Sequence, residues 1–233
     1  MSSPRSRCSV YVDGFNFYFG IFEKRPEWKW LNIERFLVDL RPLEEVSIKY
    51  FTAIVDEHLT YSDSRVRQEK FLGVLATLPK VQIIKGKYQK KVVRCQARCS
   101  EEYWVPREKK TDVNIAIHMI EDCINGVSDS MVLVSGDSDL EPAVAWVHRR
   151  DPKIKMTVYI PKLPDMREDN DQLRRNDFYK SIGVDCRALP VNRMTAFQFP
   201  VAVKVGTGKF IQRPDEWCAK NVAEAVAAGN GAT

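Results

Sequence analysis

The stretch Met131–Leu140, MVLVSGDSDL, constrains this chain more than any other. Its apolar residues run into Ser135 and Gly136, and an apolar run bounded by glycine reads as a buried strand ending in a tight turn. Asp137 and Asp139 follow at once. Asp139 opens a helical pattern carried by Leu140, Val144 and Val147, and an acid is favoured at a helix N-terminus. Acids at the carboxyl end of a buried strand stand where open α/β sheets bind ligands. Two carboxylates this close repel each other unless a divalent cation or a proton stands between them.

The same device opens the chain. Residues 8–12, CSVYV, run into Asp13-Gly14-Phe15-Asn16, so Asp13 takes the topological position of Asp137, and Gly14 permits the turn. No G-x-G-x-x-G follows this strand and no G-x-x-x-x-G-K-[ST] occurs, which argues against a dinucleotide site and a P-loop. Between the two turns, strand patterns alternate with helix patterns. That alternation predicts an α/β fold with a mostly parallel sheet and helices on both faces. A chain of 233 residues suits one such domain, placed at 1–190, with 191–233 as an extension that packs on it and frays at its Ala/Gly-rich end.

Predicted strands fall at 45–55, 81–89, 155–160 and 185–189. Predicted helices fall at 17–22, 33–39 (capped by Asn32), 62–77 (capped by Ser62) and 172–182, and one more opens at Thr111 and closes at Asn125-Gly126. The 62–77 helix is expected to turn Val66, Phe71, Val74, Leu75 and Leu78 to the sheet. The helix after Thr111 is expected to turn Ile117, Ile120, Cys123 and Ile124 inward. Trp28, Trp30 and the segment 197–205 either line a homodimer interface or pack on the core.

Composition narrows the partners. A net charge of +5 permits a polyanion. Lys90 and Arg94 belong to a basic run that also holds Lys85, Lys87 and Lys91, with Tyr88, Tyr103 and Trp104 interleaved. Cations that take phosphates beside rings that take bases suit a single-stranded nucleic acid, and the plainer reading is a solvated β-ribbon. No apolar run approaches the roughly 18 residues of a membrane span. The basic start lacks a secretory apolar region, so a non-secreted, cytoplasmic protein is expected. The six cysteines are scattered, and Cys95 and Cys99 lack a second pair with which to make a zinc site.

Three acidic positions therefore converge by topology: Asp13, Asp112 and the pair Asp137/Asp139. By position alone Asp112 is a first-turn acid that balances a helix dipole. Clustered oxygen donors with little His or Cys suit Mg²⁺ or Mn²⁺. The three histidines, His58, His118 and His148, lie away from the acidic turns, which argues against zinc or histidine-based hydrolysis. Chemistry that needs acids alone is metal-assisted phosphodiester cleavage. In it Asp13 and Asp137 would hold metal directly, Asp112 and Asp139 would complete the shell or orient water, and Asn16 would bind a phosphate or water.

VYVDGFN, KKTDVNIA and LVSGDSDLEP together resemble the three motifs of the NYN domain, a branch of the PIN-like nuclease superfamily, in the right order over about residues 8–160. The resemblance implies a Rossmann-like, three-layer PIN-like fold, a metal-dependent ribonuclease site and an RNA substrate, single-stranded or structured. By it Asp13, Asn16, Asp112, Asp137 and Asp139 form the site, and Asp112 becomes a metal ligand. Lys109 and Lys110 border it and could contact phosphate; Ser135, and from the basic run Lys90 and Arg94, are further expected RNA contacts, although the motifs do not fix the stretch 86–105. The alternative is a non-catalytic RNA-binding or regulatory module that keeps the fold. A haloacid dehalogenase-type phosphatase is disfavoured, because Asp13 is followed by Gly14 and Phe15 with no second acid.

Overall fold

The computed structural model describes residues 5–54, 62–94, 102–164 and 170–218, with 62, 87–94, 102–109 and 170–172 described as backbone. In chain order the elements are β1 (Ser6–Asp13), α1 (Gly14–Phe17), α2 (Ile33–Leu40), β2 (Glu44–Thr52), α3 (Ser62–Leu75), β3 (Val81–Lys85), β4 (Lys87–Arg94) and β5 (Glu102–Lys109). They continue with α4 (Thr111–Ile124), β6 (Ser130–Val134), α5 (Glu141–Arg150), β7 (Lys155–Ile160), α6 (Asn170–Ser181), β8 (Asp185–Ala188), β9 (Ala202–Val205) and β10 (Lys209–Gln212). A π-helical turn, Tyr18–Phe22, continues α1, closed by the Glu23 N–H donating to the Tyr18 carbonyl at 2.9 Å.

Six parallel strands form the central sheet in the order β3-β2-β1-β6-β7-β8. The chain builds outward from β1 to β3, crosses back through the β4–β5 ribbon and α4, and builds outward again from β6. The strand order reverses between β1 and β6, and in open α/β sheets such a switch point is where the crevice lies. β6 (SMVLV) is buried along its whole length, and an apolar strand covered on both faces belongs in the middle of a parallel sheet.

Two cores result. On one face Val10, Val12, Val132 and Val134 meet Phe36 of α2 and Phe71, Val74 and Leu75 of α3. On the other, Tyr11, Leu133 and Val158 meet Ile115 and Met119 of α4, Val144 of α5 and Tyr179 of α6. α2 starts where Asn32 Oδ1 accepts the Arg35 N–H at 3.0 Å. The C-terminal segment closes the first core. Trp30, 0% exposed, donates from Nε1 to the Pro200 carbonyl at 2.8 Å, and its ring centroid lies 6.0 Å from that of Trp217.

Several expectations are corrected. The 81–89 strand divides at Gly86, whose N–H donates to the Thr52 carbonyl at 2.7 Å and ends pairing with the sheet; β4 then pairs with β5 as a separate antiparallel ribbon. Val66 on α3 is exposed, while Phe71, Leu72, Val74 and Leu75 are buried. The phase of α4 is also different. Ile115, Met119, Asp122 and Cys123 face inward, and Val113, Ile117, Ile124 and Val127 form an exposed stripe. The inward face of α4 tolerates Asp122 because Tyr11 Oη and Lys49 Nζ both donate to Asp122 Oδ2 at 2.6 Å. Thr111 does not cap α4: β5 runs to Lys109, so the chain turns from strand to helix at Lys110 alone, which adopts φ 79°. Of the two readings of Trp28 and Trp30, both side chains pack in the core. Cys95 and Cys99 lie outside the described residues. Among the described residues no helix is long and apolar enough to cross a membrane.

Candidate functional site

The carboxyl ends of β1 and β6 meet in one hydrogen-bonded knot. Asp13 ends β1 and is 3% exposed; its Oδ1 accepts the N–H groups of Phe15 at 3.2 Å and Asn16 at 3.0 Å, so it caps α1. Its Oδ2 accepts the Ser135 hydroxyl at 2.9 Å. Ser135 Oγ in turn accepts the Asp137 N–H at 3.1 Å, and Asn16 Oδ1 accepts the Gly136 N–H at 2.7 Å. Asp137 Oδ1 accepts the Asp139 N–H at 2.9 Å and caps the 3₁₀ turn Ser138–Leu140 that leads into α5. Two turns are thus tied together by side chain-to-backbone bonds, the local chemistry that Asp, Asn and Ser favour at such positions.

Glycine makes the approach possible. A Cβ on Gly14 would come within 2.6 Å of the Phe51 carbonyl oxygen, so the backbone after Asp13 lies directly against β2.

α4 carries Asp112 in its first turn and packs beside the Ser138–Leu140 turn. Burial, followed by the charges of Asp13, Asp137 and Asp139, pushes the Asp112 carboxyl up to about 6. Burial also raises Asp13; bonds from the Asn16 N–H and Ser135 act against that, and the Asp137 charge adds to it. Four carboxylates share one electrostatic neighbourhood, and their mutual repulsion raises affinity for a cation or a proton.

The donor set is all oxygen. Among the described residues no three or more His, Cys, Asp or Glu side chains form a ready-made cage for an ion.

The other sequence-chosen residues are placed as follows. Ser135 is 2% exposed, and its hydroxyl donates to Asp13 Oδ2 and accepts the Asp137 N–H, so it ties the two acidic turns together. Lys110 is exposed at the start of α4, two residues before Asp112. Lys90, Arg94 and Lys109 fall on the β4–β5 ribbon, where Lys90 pairs with Pro106, Arg94 with Glu102 and Lys109 with Lys87; their side chains lie outside what is described.

One feature escaped the sequence reading. Beside the acids opens a cavity of about 350 Å³, whose lining begins with Gly14 and Phe15, the two residues after Asp13. Tyr18, Phe19 and Phe22 from the π-helical turn, Tyr50 from β2, Phe71 from α3 and Trp217 from the C-terminal segment complete its aromatic walls. The aromatic run Phe15 to Phe22 was its only local signal.

Residues 7–175 match the sequence profile of the NYN domain. A curated relative, 6-hydroxy-3-succinoylpyridine 3-monooxygenase HspA from Pseudomonas putida, is 29% identical over 205 residues, 74% of this chain, and the chain spans 65% of that relative's length. A solved structure of a protein of unknown function from Vibrio parahaemolyticus aligns with a TM-score of 0.46 and 19% identity, covering 81% of this chain and 95% of that one. The nicotinamidase SaPncA from Staphylococcus aureus aligns at 0.35 and 11%, covering 78% and 99%. At that distance neither structure speaks to function.

Proposed function

Because this chain belongs to the NYN domain family, a branch of the PIN-like superfamily, we propose that it is a ribonuclease that uses Mg²⁺ or Mn²⁺ to hydrolyse RNA phosphodiester bonds. The observation that carries the reading is the convergence of Asp13, Asp112, Asp137 and Asp139 at the switch point, with Asp112 pushed up to about 6 by burial and by the other three. Asp13 and Asp137 are the residues that hold the cation, with Asp112 and Asp139 beside them to orient water. A divalent ion there supplies an activated water and neutralises charge on the phosphate. Asn16 and Ser135 fix the acids in place through the Gly136 N–H and the Asp13 carboxylate. Asp112, whose carboxyl titrates near neutrality, is the group able to take a proton from the attacking water. Lys110 stands beside it to meet a phosphate, and Lys90, Arg94 and Lys109 on the ribbon extend the RNA path.

The test is cleavage of end-labelled single-stranded, structured and duplex RNA with Mg²⁺, Mn²⁺ or EDTA, comparing the native chain with Asp137→Asn. Metal-dependent cleavage that falls by about a hundredfold or more in the variant is expected. Undiminished cleavage by Asp137→Asn removes the assignment. RNA binding without cleavage moves the protein to the class of non-catalytic RNA-binding modules. The relative's name points to a second activity, oxygenation of a substituted pyridine, which the aromatic cavity is large enough to accommodate. Oxygen uptake with 6-hydroxy-3-succinoylpyridine and a nicotinamide reductant separates the two.

A further inference from the structure

The aromatic cavity has no part in the chemistry derived so far, yet it opens one residue from Asp13. Its walls are rings that the fold holds at fixed angles. Tyr18 and Phe19 meet edge to face with centroids 5.3 Å apart, and Phe15 lies 6.2 Å from Phe19. Lys29 Nζ sits 4.8 Å from the Tyr18 ring centroid and donates to its hydroxyl at 3.2 Å, which sets the plane of that ring. Phe19 is 54% exposed, a large apolar ring standing in solvent at the mouth. Polar groups also line the cavity. Gln68 Nε2 donates to the Ala53 carbonyl at 2.9 Å, fixing its amide against the wall, with Thr52 beside it.

The backbone is shaped to present these rings. A Cβ on Gly20 would come within 2.0 Å of the Pro161 carbonyl oxygen, so the π-helical turn lies hard against the chain leaving β7. A single π-helical turn inside a helix is a feature that recurs at functional sites. Aromatic rings lining a cavity together with hydrogen-bonding side chains suit a planar heteroaromatic ring that stacks on its faces and is bonded at its edge.

We propose that this cavity is a stacking subsite for a planar heteroaromatic ring, and that the ring is an unpaired nucleobase of the RNA strand whose phosphate lies at Asp13. The proposal rests on the ribonuclease reading and deepens it. A base inside a duplex is stacked on its neighbours and cannot enter, so the subsite selects single-stranded segments. Lys29, at the cavity edge, offers a cation to the backbone that leads the base in.

The experiment measures binding, so it does not depend on cleavage. The Asp137→Asn chain is titrated with a fluorescein-labelled single-stranded 12-mer RNA, and with the same RNA carrying one abasic position moved along its length. One abasic position is expected to weaken binding about tenfold, since stacking a base on an aromatic side chain is worth that much. Phe19→Ala, at an exposed ring whose loss leaves the core intact, is expected to weaken binding of the intact RNA by a similar factor and of that abasic RNA hardly at all. If every abasic RNA binds like the intact strand, or if Phe19→Ala matches its parent with both RNAs, no base enters the cavity. Free adenosine and free 2-hydroxypyridine distinguish the source of the ring. Tight binding of 2-hydroxypyridine that RNA does not displace assigns the cavity to a small molecule and overturns the nucleobase. Cleavage without an abasic effect would leave the nuclease and remove the subsite. An abasic effect without cleavage would leave the subsite and remove the nuclease.

Discussion

Asp112 and Lys110, two residues apart, bear opposite strains. The Asp112 carboxyl is raised from 3.8 to about 6 by burial and by three neighbouring acids. Below pH 3.8 the group is neutral in folded and unfolded chains alike, and it costs the fold nothing. As pH rises towards 6 the unfolded chain gives up the proton first, so this contribution to stability is lost across that window and stays lost above it. Asp112→Asn is therefore expected to melt above the native chain in metal-free buffer at pH 7. The gap should narrow as pH falls from 6 to 4, as thermal melts across that range would show. Lys110 holds φ 79°, a conformation that costs a side chain about 1 kcal/mol and glycine little. Lys110→Gly is expected to raise the melting temperature by about 2–4 °C while weakening RNA binding and flattening its salt dependence. Calorimetry and a salt titration on one preparation check both. The caps made by Asp13 and Asp137 were legible in the sequence because each bonds backbone N–H groups two or three residues on. The ties from Asn16 to the Gly136 N–H and from Ser135 to Asp13 were not, because they join residues 120 and 122 positions apart.

At the scale of elements, the two halves of the sheet were legible and the pieces laid across them were not. β1, β6 and β7 announce themselves as apolar runs that end in turns, and Asn32 and Asn125-Gly126 mark helix ends by their own chemistry. The phase of α4 was hidden, because its inward Asp122 becomes tolerable only beside Tyr11 and Lys49 from two other strands. The cavity was hidden for the same reason: its walls come from α1, β2, α3 and the C-terminal segment. The β4–β5 ribbon stands apart from the sheet, inserted in the crossover that leads to α4. As a basic arm it should contribute affinity and leave the acids alone. Replacing Lys90 and Arg94 together by Ala is expected to reduce the slope of log affinity against log salt by about 0.7 for each phosphate that a cation no longer neutralises, with the cleavage rate at saturating RNA unchanged. A slope identical to the native chain's would make the ribbon a solvated surface.

The whole molecule is a doubly wound sheet with one set of acids where the winding reverses, an aromatic cavity beside them, and a C-terminal segment that seals one core through Trp217 against Trp30 and Phe71. The first core is completed only by residues beyond 190, and Trp30 places its indole N–H on Pro200. The fold class and the acidic turns at the ends of β1 and β6 were therefore readable from local pattern, whereas the order of the strands and the closure of the core were properties of the assembled chain. The pairing of β1 with β6 also sets a timetable. At synthesis rates of about 5–20 residues per second, the 122 residues between Asp13 and Ser135 take roughly 6–24 s to emerge. Throughout that interval the nascent chain hangs from a ribosome, a particle made largely of RNA, with Asp13 present and Ser135 and Asp137 not yet made. A fragment released before residue 135 carries Asp13, and at most Asp112 with it, but never the Asp137/Asp139 turn, so the order of the strands withholds the acid cluster until β6 and its turn have emerged.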